Sequence, residues 1–361
     1  MTGPVPSFLK GMSGITWEHE SPFLEVDYEE RHPLGAPSLK HLAMKQTLRD
    51  QRSLSQSHFV DIPWLIAKEI WDYLSRSGKR TLHMWKIFCA CYPIEFRQVS
   101  PFCRMTVDKP SFLMRDYLNL VKSTGCDWAT QLVLWTEYAF TPELVKIADV
   151  INLVSLEVNT GMTVAYQDEN INEAISTVDD RILRTWTELI ESSEAFRHLR
   201  ILKLNAQRHL TTASFRYLSR FPSLEYCIVA MCDALTSKSA ITAAEAHGWQ
   251  ICQDKPKGAL YDFSERRVEL QMKWRDQVPD GLIPPSLPKD IPVLEYIVGQ
   301  MRERLAVGSF VYVFRRNRTN TSETNKRKPE DRLPPKGGRK MKKPAMKGRG
   351  KDLSGLLGEF M

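Results

Sequence analysis

From about Pro110 the chain repeats one rhythm, a helical stretch followed by a short apolar run, and this recurrence restricts the fold more than any other feature. The runs are Ala129-Thr-Gln-Leu-Val-Leu134, Leu153-Val-Ser-Leu-Glu-Val158, Leu199-Arg-Ile-Leu-Lys-Leu204 and Leu224-Glu-Tyr-Cys-Ile-Val229. Apolar runs of this length alternating with helices predict an α/β fold in which each run is a strand. Their first residues are 24, 46 and 25 positions apart. The wide middle gap is close to two periods, or else one unit enlarged by a helix around Asp180 to Glu194. Ser111 to Lys122 reads as a helix, as does Pro142 to Asp149 behind a Thr141 cap. A last strand is expected at Ser309 to Phe314, after a Pro-rich connection at Pro279 to Pro292 and a helix at Val268 to Asp276.

Residues 37 to 100 have a different period. Ser38 can cap a helix through about Arg49 with Leu39, Leu42, Ala43 and Leu48 on its apolar face, and Ser53 to Val60 forms a short turn. Residues 62 to 74, Ile-Pro-Trp-Leu-Ile-Ala-Lys-Glu-Ile-Trp-Asp-Tyr-Leu, then set Pro63 at a helix start. Ile66, Ile70 and Leu74 recur every four residues on one face of it. Residues 1 to 36 carry Pro, Gly and acidic residues without sustained periodicity and read as an irregular lead-in.

The spacing of residues 62 to 74 resembles an F-box, with Leu82, Phe88, Cys89 and Tyr92 in the later apolar positions after three extra residues near Ser77 to Lys79. The resemblance implies that Pro63, Ile66, Ile70 and Leu74 dock onto the Skp-type adaptor of a cullin ubiquitin ligase. The periodicity alone is equally met if the same stripe packs onto this chain's own body. The Leu-x-x-Leu-x-Leu runs resemble leucine-rich repeats, which implies a curved parallel sheet with helices outside and a client held on the repeat surface. That match is degenerate, because Asn205 directly follows Leu204 and Ala206 comes next, which leaves the polar ladder of the family incomplete. A generic α/β layer would give Leu202 and Leu204 the same character. The chain as a whole resembles a group of fungal proteins with an Ile-Pro-Trp segment, helix-strand units and a basic tail, to which no activity is attached.

Charge separates the last segment from the rest. Arg315 to Met361 holds 15 Lys/Arg against 5 Asp/Glu, whereas the whole chain carries only +7. Such a segment buries too little to fold alone, so residues 315 to 361 are expected to be a disordered basic tail. Arg315, Arg316, Lys326, Arg327, Lys328, Arg339, Lys340, Lys342 and Lys343 read as nuclear import clusters, so a nuclear protein is expected, with the cytoplasm as its second compartment. The same array could neutralise phosphates on DNA or RNA, but no aromatic interleaves it for base stacking. At the end, Leu353, Leu356, Leu357 and Phe360 fall on one helical face behind Asp352 and read as a docking peptide.

Catalytic and metal-binding patterns are poor. Gly78-Lys79 lacks the earlier glycine of a phosphate-cradling loop, Tyr73 standing in its place. Cys89-x-Cys91 and the pair Cys227 and Cys232 lack zinc spacing, and His198 and His209 have no nucleophile or paired carboxylate at a recognisable interval. Glu29, Glu30, Asp179 and Asp180 read as solvated faces and caps. With seven scattered cysteines, no signal-like start and no apolar stretch of about 20 residues, the expectation is an intracellular, membrane-free, non-enzymatic protein without cofactor or metal. The favoured function is an adaptor presenting a client to a ubiquitin ligase. The alternative is a chromatin- or RNA-associated binding protein.

Overall fold

A computed structural model of the chain describes residues 19–24, 35, 37–161, 176–252, 291–299 and 311–317. The chain divides into a unit Met1–Arg318 and a unit Thr319–Met361, and the second lies outside the described residues.

The helical part comprises α1 (Leu39–Thr47), α2 (Trp64–Arg76), α3 (Leu82–Cys91) and α4 (Pro93–Val99), with single 3-10 turns at Gln51–Ser53 and Gln56–His58. Local chemistry sets the boundaries. The Ser38 hydroxyl accepts the His41 amide and that of Thr81 accepts the Met84 amide, each answering a helix N–H that has no intrahelical partner. Pro63 stands at the cap of α2, and its carbonyl accepts the amides of Ile66 and Ala67. Aromatic packing then joins the helices. Trp71 lies edge-on to Phe96 at 4.7 Å and beside Phe88 at 5.3 Å, while Trp64 leans on Tyr92 at 5.3 Å. The buried Tyr92 hydroxyl donates to the carbonyls of Phe59 and Ile62, and burial pushes its pKa up to about 12.

Eight strands among the described residues form one mixed sheet in the order β1-β7-β2-β3-β4-β5-β8-β6. They are β1 (Phe102–Val107), β2 (Ala129–Trp135), β3 (Leu153–Asn159), β4 (Ile201–Asn205), β5 (Tyr226–Ala230), β6 (Trp249–Ile251), β7 (Val293–Val298) and β8 (Val311–Arg316). Strands β1, β7, β2, β3, β4 and β5 run parallel, and β8 is antiparallel to both β5 and β6. Between strands lie α5 (Met114–Val121), α6 (Thr141–Val145), α7 (Asp180–Ser192), α8 (Ser214–Leu218), α9 (Asp233–Thr236) and α10 (Lys238–Ala246). Because β3 bonds directly to β4, the 46-residue interval is one enlarged unit carrying α7.

Several expectations need adjusting. Thr141 is the first residue of α6 rather than its cap; the Glu143 carboxylate reaches back to the Phe140 amide at 2.9 Å and does the capping. Arg315 and Arg316 lie inside β8 instead of opening a disordered tail, because the Arg316 amide bonds the Glu225 carbonyl and its guanidinium caps the carbonyls of Phe221 and Ser219. Part of the lead-in is built into the body: the Gln51 amide bonds the Pro22 carbonyl, Phe23 forms a bridge with Asp50, and the Leu82 amide bonds both oxygens of Glu20. The helix expected at Val268 to Asp276 lies outside the described residues.

Candidate functional site

The stripe on α2 is divided by the fold. Ile70 and Leu74 are buried in the chain's own core, 7% and 0% exposed, whereas Ile66 is 53% exposed and its neighbour Leu65 77%. Pro63 is exposed beside them. Helical geometry accounts for the split: Ala67, Ile70, Trp71 and Leu74 make the inward face, and Ile66 leads it by one turn at the free end of the helix. Val60 and Ile94, ahead of α2 and at the start of α4, are also open.

Of the import residues, Arg315 is exposed on β8 and Arg316 is half-buried. Lys326, Arg327, Lys328, Arg339, Lys340, Lys342 and Lys343 lie outside the described residues, as do Leu353, Leu356, Leu357 and Phe360. Burial pushes the thiols of Cys89, Cys103 and Cys227 well up and that of Cys232 up to about 12, so at neutral pH they are small apolar groups. His198 and His209 are exposed. Among the described residues, no group of three or more His, Cys, Asp or Glu could hold a metal, and no helix is long and apolar enough to cross a membrane.

A second locus was not foreseen. At the carboxyl ends of the parallel strands, where α/β sheets place their binding crevices, a row of side chains ties successive loops together. Glu137, Gln207 and Cys232 each fall three places after the last inward apolar residue of a strand, Leu134, Leu204 and Val229. Glu137 Oε1 accepts the Gly161 amide at 2.9 Å, and Gln207 Nε2 donates to the Asn205 carbonyl at 2.7 Å and to Thr160 Oγ1 at 3.0 Å. The Gln207 amide points to Cys232 Sγ at 3.3 Å. Ala206 and Met231, with φ of 56° and 53°, turn the chain equivalently after β4 and β5. The sequence signal was the common offset from the strand, hidden because Glu, Gln and Cys occupy one position.

Beside this row, a cavity of about 250 Å³ lies at the ends of β1 and β2, walled by Phe112, Leu113, Tyr138, Phe140, Glu137 and Glu143. Glu143 is only 8% exposed. Its Oε1 accepts the Arg115 amide at 3.4 Å, so this carboxylate joins α5 to α6.

No protein-family model, curated protein or solved structure matches the chain.

Proposed function

We propose that the protein is a non-catalytic adaptor: its helical part docks the Skp-type adaptor of a cullin ubiquitin ligase in the nucleus, and its sheet body carries a client. The observation that carries this reading is the open first turn of α2. Of the four residues that the F-box resemblance assigns to the adaptor, Pro63 and Ile66 stay open, Ile66 at 53% with Leu65 beside it at 77%, whereas Ile70 and Leu74 are buried in this chain's own core. Full burial of such a side chain in a partner is worth about 1.5 to 3 kcal/mol. On this reading Ile70 and Leu74 hold the helix in place, and Pro63, Leu65 and Ile66 meet the adaptor.

The leucine-rich-repeat reading is proposed for β2 to β5 only. In its favour, these strands are parallel and in sequence order, and Glu137, Gln207 and Cys232 sit at the ladder position of the repeat pattern. Strand β7, inserted between β1 and β2, and antiparallel β8 stand outside it. Nuclear residence rests on the Lys/Arg clusters between Lys326 and Lys343.

The test is Ile66→Asp, alone and with Leu65→Asp. Both side chains are open to solvent, so circular dichroism and melting temperature should hold while co-purification of the Skp-type adaptor falls at least tenfold. Undiminished co-purification would remove the reading. Retention on DNA that falls steeply with salt and follows the tail alone would favour the nucleic-acid alternative.

A further inference from the structure

Helices cover one face of the sheet. Each helix between strands, α5 to α10, buries its apolar side chains in the cluster that holds Leu132, Leu156, Leu202 and Phe314. On the other face the apolar residues form two separate islands, Val133, Trp135 and Ile297 beside Tyr138, and Ile201 and Ile228 beside Tyr226 and Val313. Among the described residues no α-helix contributes to either island. Yet this face is closed to water over its central strands: Gln131 is 3% exposed, Ser155 and Lys203 5% and Ile228 4%. A solvated sheet face would leave a side chain as long as lysine largely in water, and parallel sheets are found with both faces covered. Exposure returns only toward the borders, at Thr106 and Arg315. Something covers the centre of this face, and none of the described helices provides it.

Strand order identifies the cover. Strands β5 and β6 are both antiparallel to β8, so β6 runs parallel to β5 and to the strands beyond it, β7 included. The chain leaves β6 at one border of the sheet and enters β7 next to the other border, six strand spacings away, roughly 29 Å at about 4.8 Å each. The connections from β1 through to β6 all advance across the sheet in one sense, with their helices on the apolar face. Crossovers between parallel strands share a right hand, so a connection that returns in the opposite sense runs over the opposite face. Among the described strands, β6 to β7 is that return. Residues 300–310 also join distant strands, but because β8 is antiparallel both of their ends lie at the carboxyl ends of the parallel strands, and no passage over the face is needed. Residues 253–290 make up nearly all of the returning connection and belong to the same unit as the sheet. Phe263, Leu270 and Trp274 stand among Glu265, Arg267 and Lys273 there, the same mixture of residue types that the face presents.

We propose that residues 253–290 dock in cis on the face of β7, β2, β3, β4 and β5 turned away from the helices, and make it an interior surface of the protein. This is the face on which a repeat sheet with helices outside would hold its client, so the segment is a built-in competitor for any partner directed there. Only that consequence rests on the adaptor reading; the placement rests on burial and topology.

The experiment places Ser155→Cys, a one-atom exchange on this face, in the full chain and follows its alkylation by iodoacetamide with mass spectrometry. Replacing residues 253–290 by a Gly/Ser linker of the same length, which averages roughly 34 Å end to end and so still reaches β7, should speed alkylation at that position at least tenfold. Equal rates in the two folded proteins would overturn the proposal. Photo-crosslinking decides the matter if the replaced chain does not fold. With p-benzoyl-phenylalanine placed at Phe263 or at Trp274 in the otherwise unaltered chain, light should attach the segment to peptides of β2, β3, β4 or β5. Attachment confined to the helical part, to α5 to α10 or to the tail would overturn the placement. Neither readout involves the first turn of α2, so an Ile66→Asp result that removes the adaptor reading leaves both unchanged, and the two proposals fail separately.

Discussion

The two faces of the sheet are both buried over its central strands, yet they are built from opposite chemistry. On one, Met105, Tyr296, Leu132, Leu156, Leu202, Cys227 and Phe314 lie side by side across seven strands. On the other, the neighbouring row runs Thr106, Ile297, Val133, Glu157, Lys203, Ile228 and Val313, and the row before it includes Arg104, Glu295, Gln131 and Ser155. The apolar face is held by area removed from water. The mixed face must answer each polar group it buries, since an unanswered one costs more than a hydrogen bond returns. Accordingly Arg104 pairs with Glu295, Lys203 lies 3.9 Å from Glu157, and Asn205 Nδ2 donates to Asn159 Oδ1 at 2.6 Å. Most of these buried groups are answered in this way, while Gln131 Nε2 on the same face has no hydrogen-bond partner among the described residues.

The largest effect expected is on the apolar face. Leu202 is fully buried with Leu156 on one side and Cys227 on the other. Leu202→Ala should cost about 3 to 5 kcal/mol, the lost transfer energy plus a cavity that paired strands cannot collapse. Urea unfolding measures it. A loss below about 1 kcal/mol would mean that this face tolerates voids and that the contrast between the faces is wrong.

Much of the apolar face was legible in sequence, and little of the other was. Strands β2 to β5 announce themselves because Leu132, Leu134, Leu156, Val158, Leu202 and Leu204 repeat at a fixed offset. Helices α1, α2, α5 and α7 carry caps or a 3.6-residue period and fell close to expectation. The run Val293-Leu-Glu-Tyr-Ile-Val298 is as apolar as any, but its place between β1 and β2 depends on pairing across nearly two hundred residues, which no local pattern encodes. Strand β1, Phe-Cys-Arg-Met-Thr-Val, mixes charge and sulfur and has no periodic mark. The exposure of Ile66 against the burial of Ile70 is likewise tertiary: both are isoleucine on one nominal stripe, and the packing of Trp71 against Phe88 of α3 and Phe96 of α4 fixes which turn remains open. The cavity at Phe112 and Phe140 joins two loops far apart in sequence, and the Glu, Gln, Cys row disguised one structural position as three residue types.

Glu20 tests the rule about partners from the apolar side. It lies near Cys103 and Tyr296, meets the Leu82 amide at 3.0 to 3.1 Å, and has no cationic partner among the described residues. Burial raises its pKa from 4.5 to about 7. The folded chain thus keeps a proton that the unfolded chain has already released. Stability from this group is fully present below pH 4.5 and falls as pH rises from 4.5 to about 7. The whole change should be about 2 to 3 kcal/mol, allowing for partial exposure. His83 works in the opposite sense, since burial lowers its pKa and its contribution disappears as pH falls below its ordinary value. Comparison with Glu20→Gln isolates the carboxyl: urea midpoints of the two proteins should agree at pH 4.5 and separate by pH 8, the variant being the more stable. Parallel profiles would show that Glu20 ionises freely in place.

The smallest effect belongs to the ion pair on the mixed face. Lys203 and Glu157 are 5% and 6% exposed, and Glu157 Oε1 also accepts the Asn159 amide group at 3.3 Å. At 3.9 Å the ammonium sits at the outer limit of a salt bridge. Removing one member of a tight buried pair costs about 3 to 5 kcal/mol, so the looser geometry here should cost about 2 kcal/mol in Lys203→Met. Much of that loss arises because Glu157 loses the Lys203 charge in a low-dielectric setting. Its carboxyl should then behave as Glu20 does, holding its proton to higher pH, so that Lys203→Met acquires a new decline of stability as pH rises through the carboxylate range. Adding Glu157→Gln should remove that decline and recover part of the loss. If Lys203→Met instead keeps the wild-type pH profile and loses less than about 0.5 kcal/mol, Glu157 is sustained by its other neighbours, and the mixed face depends on hydrogen bonding in place of charge pairing.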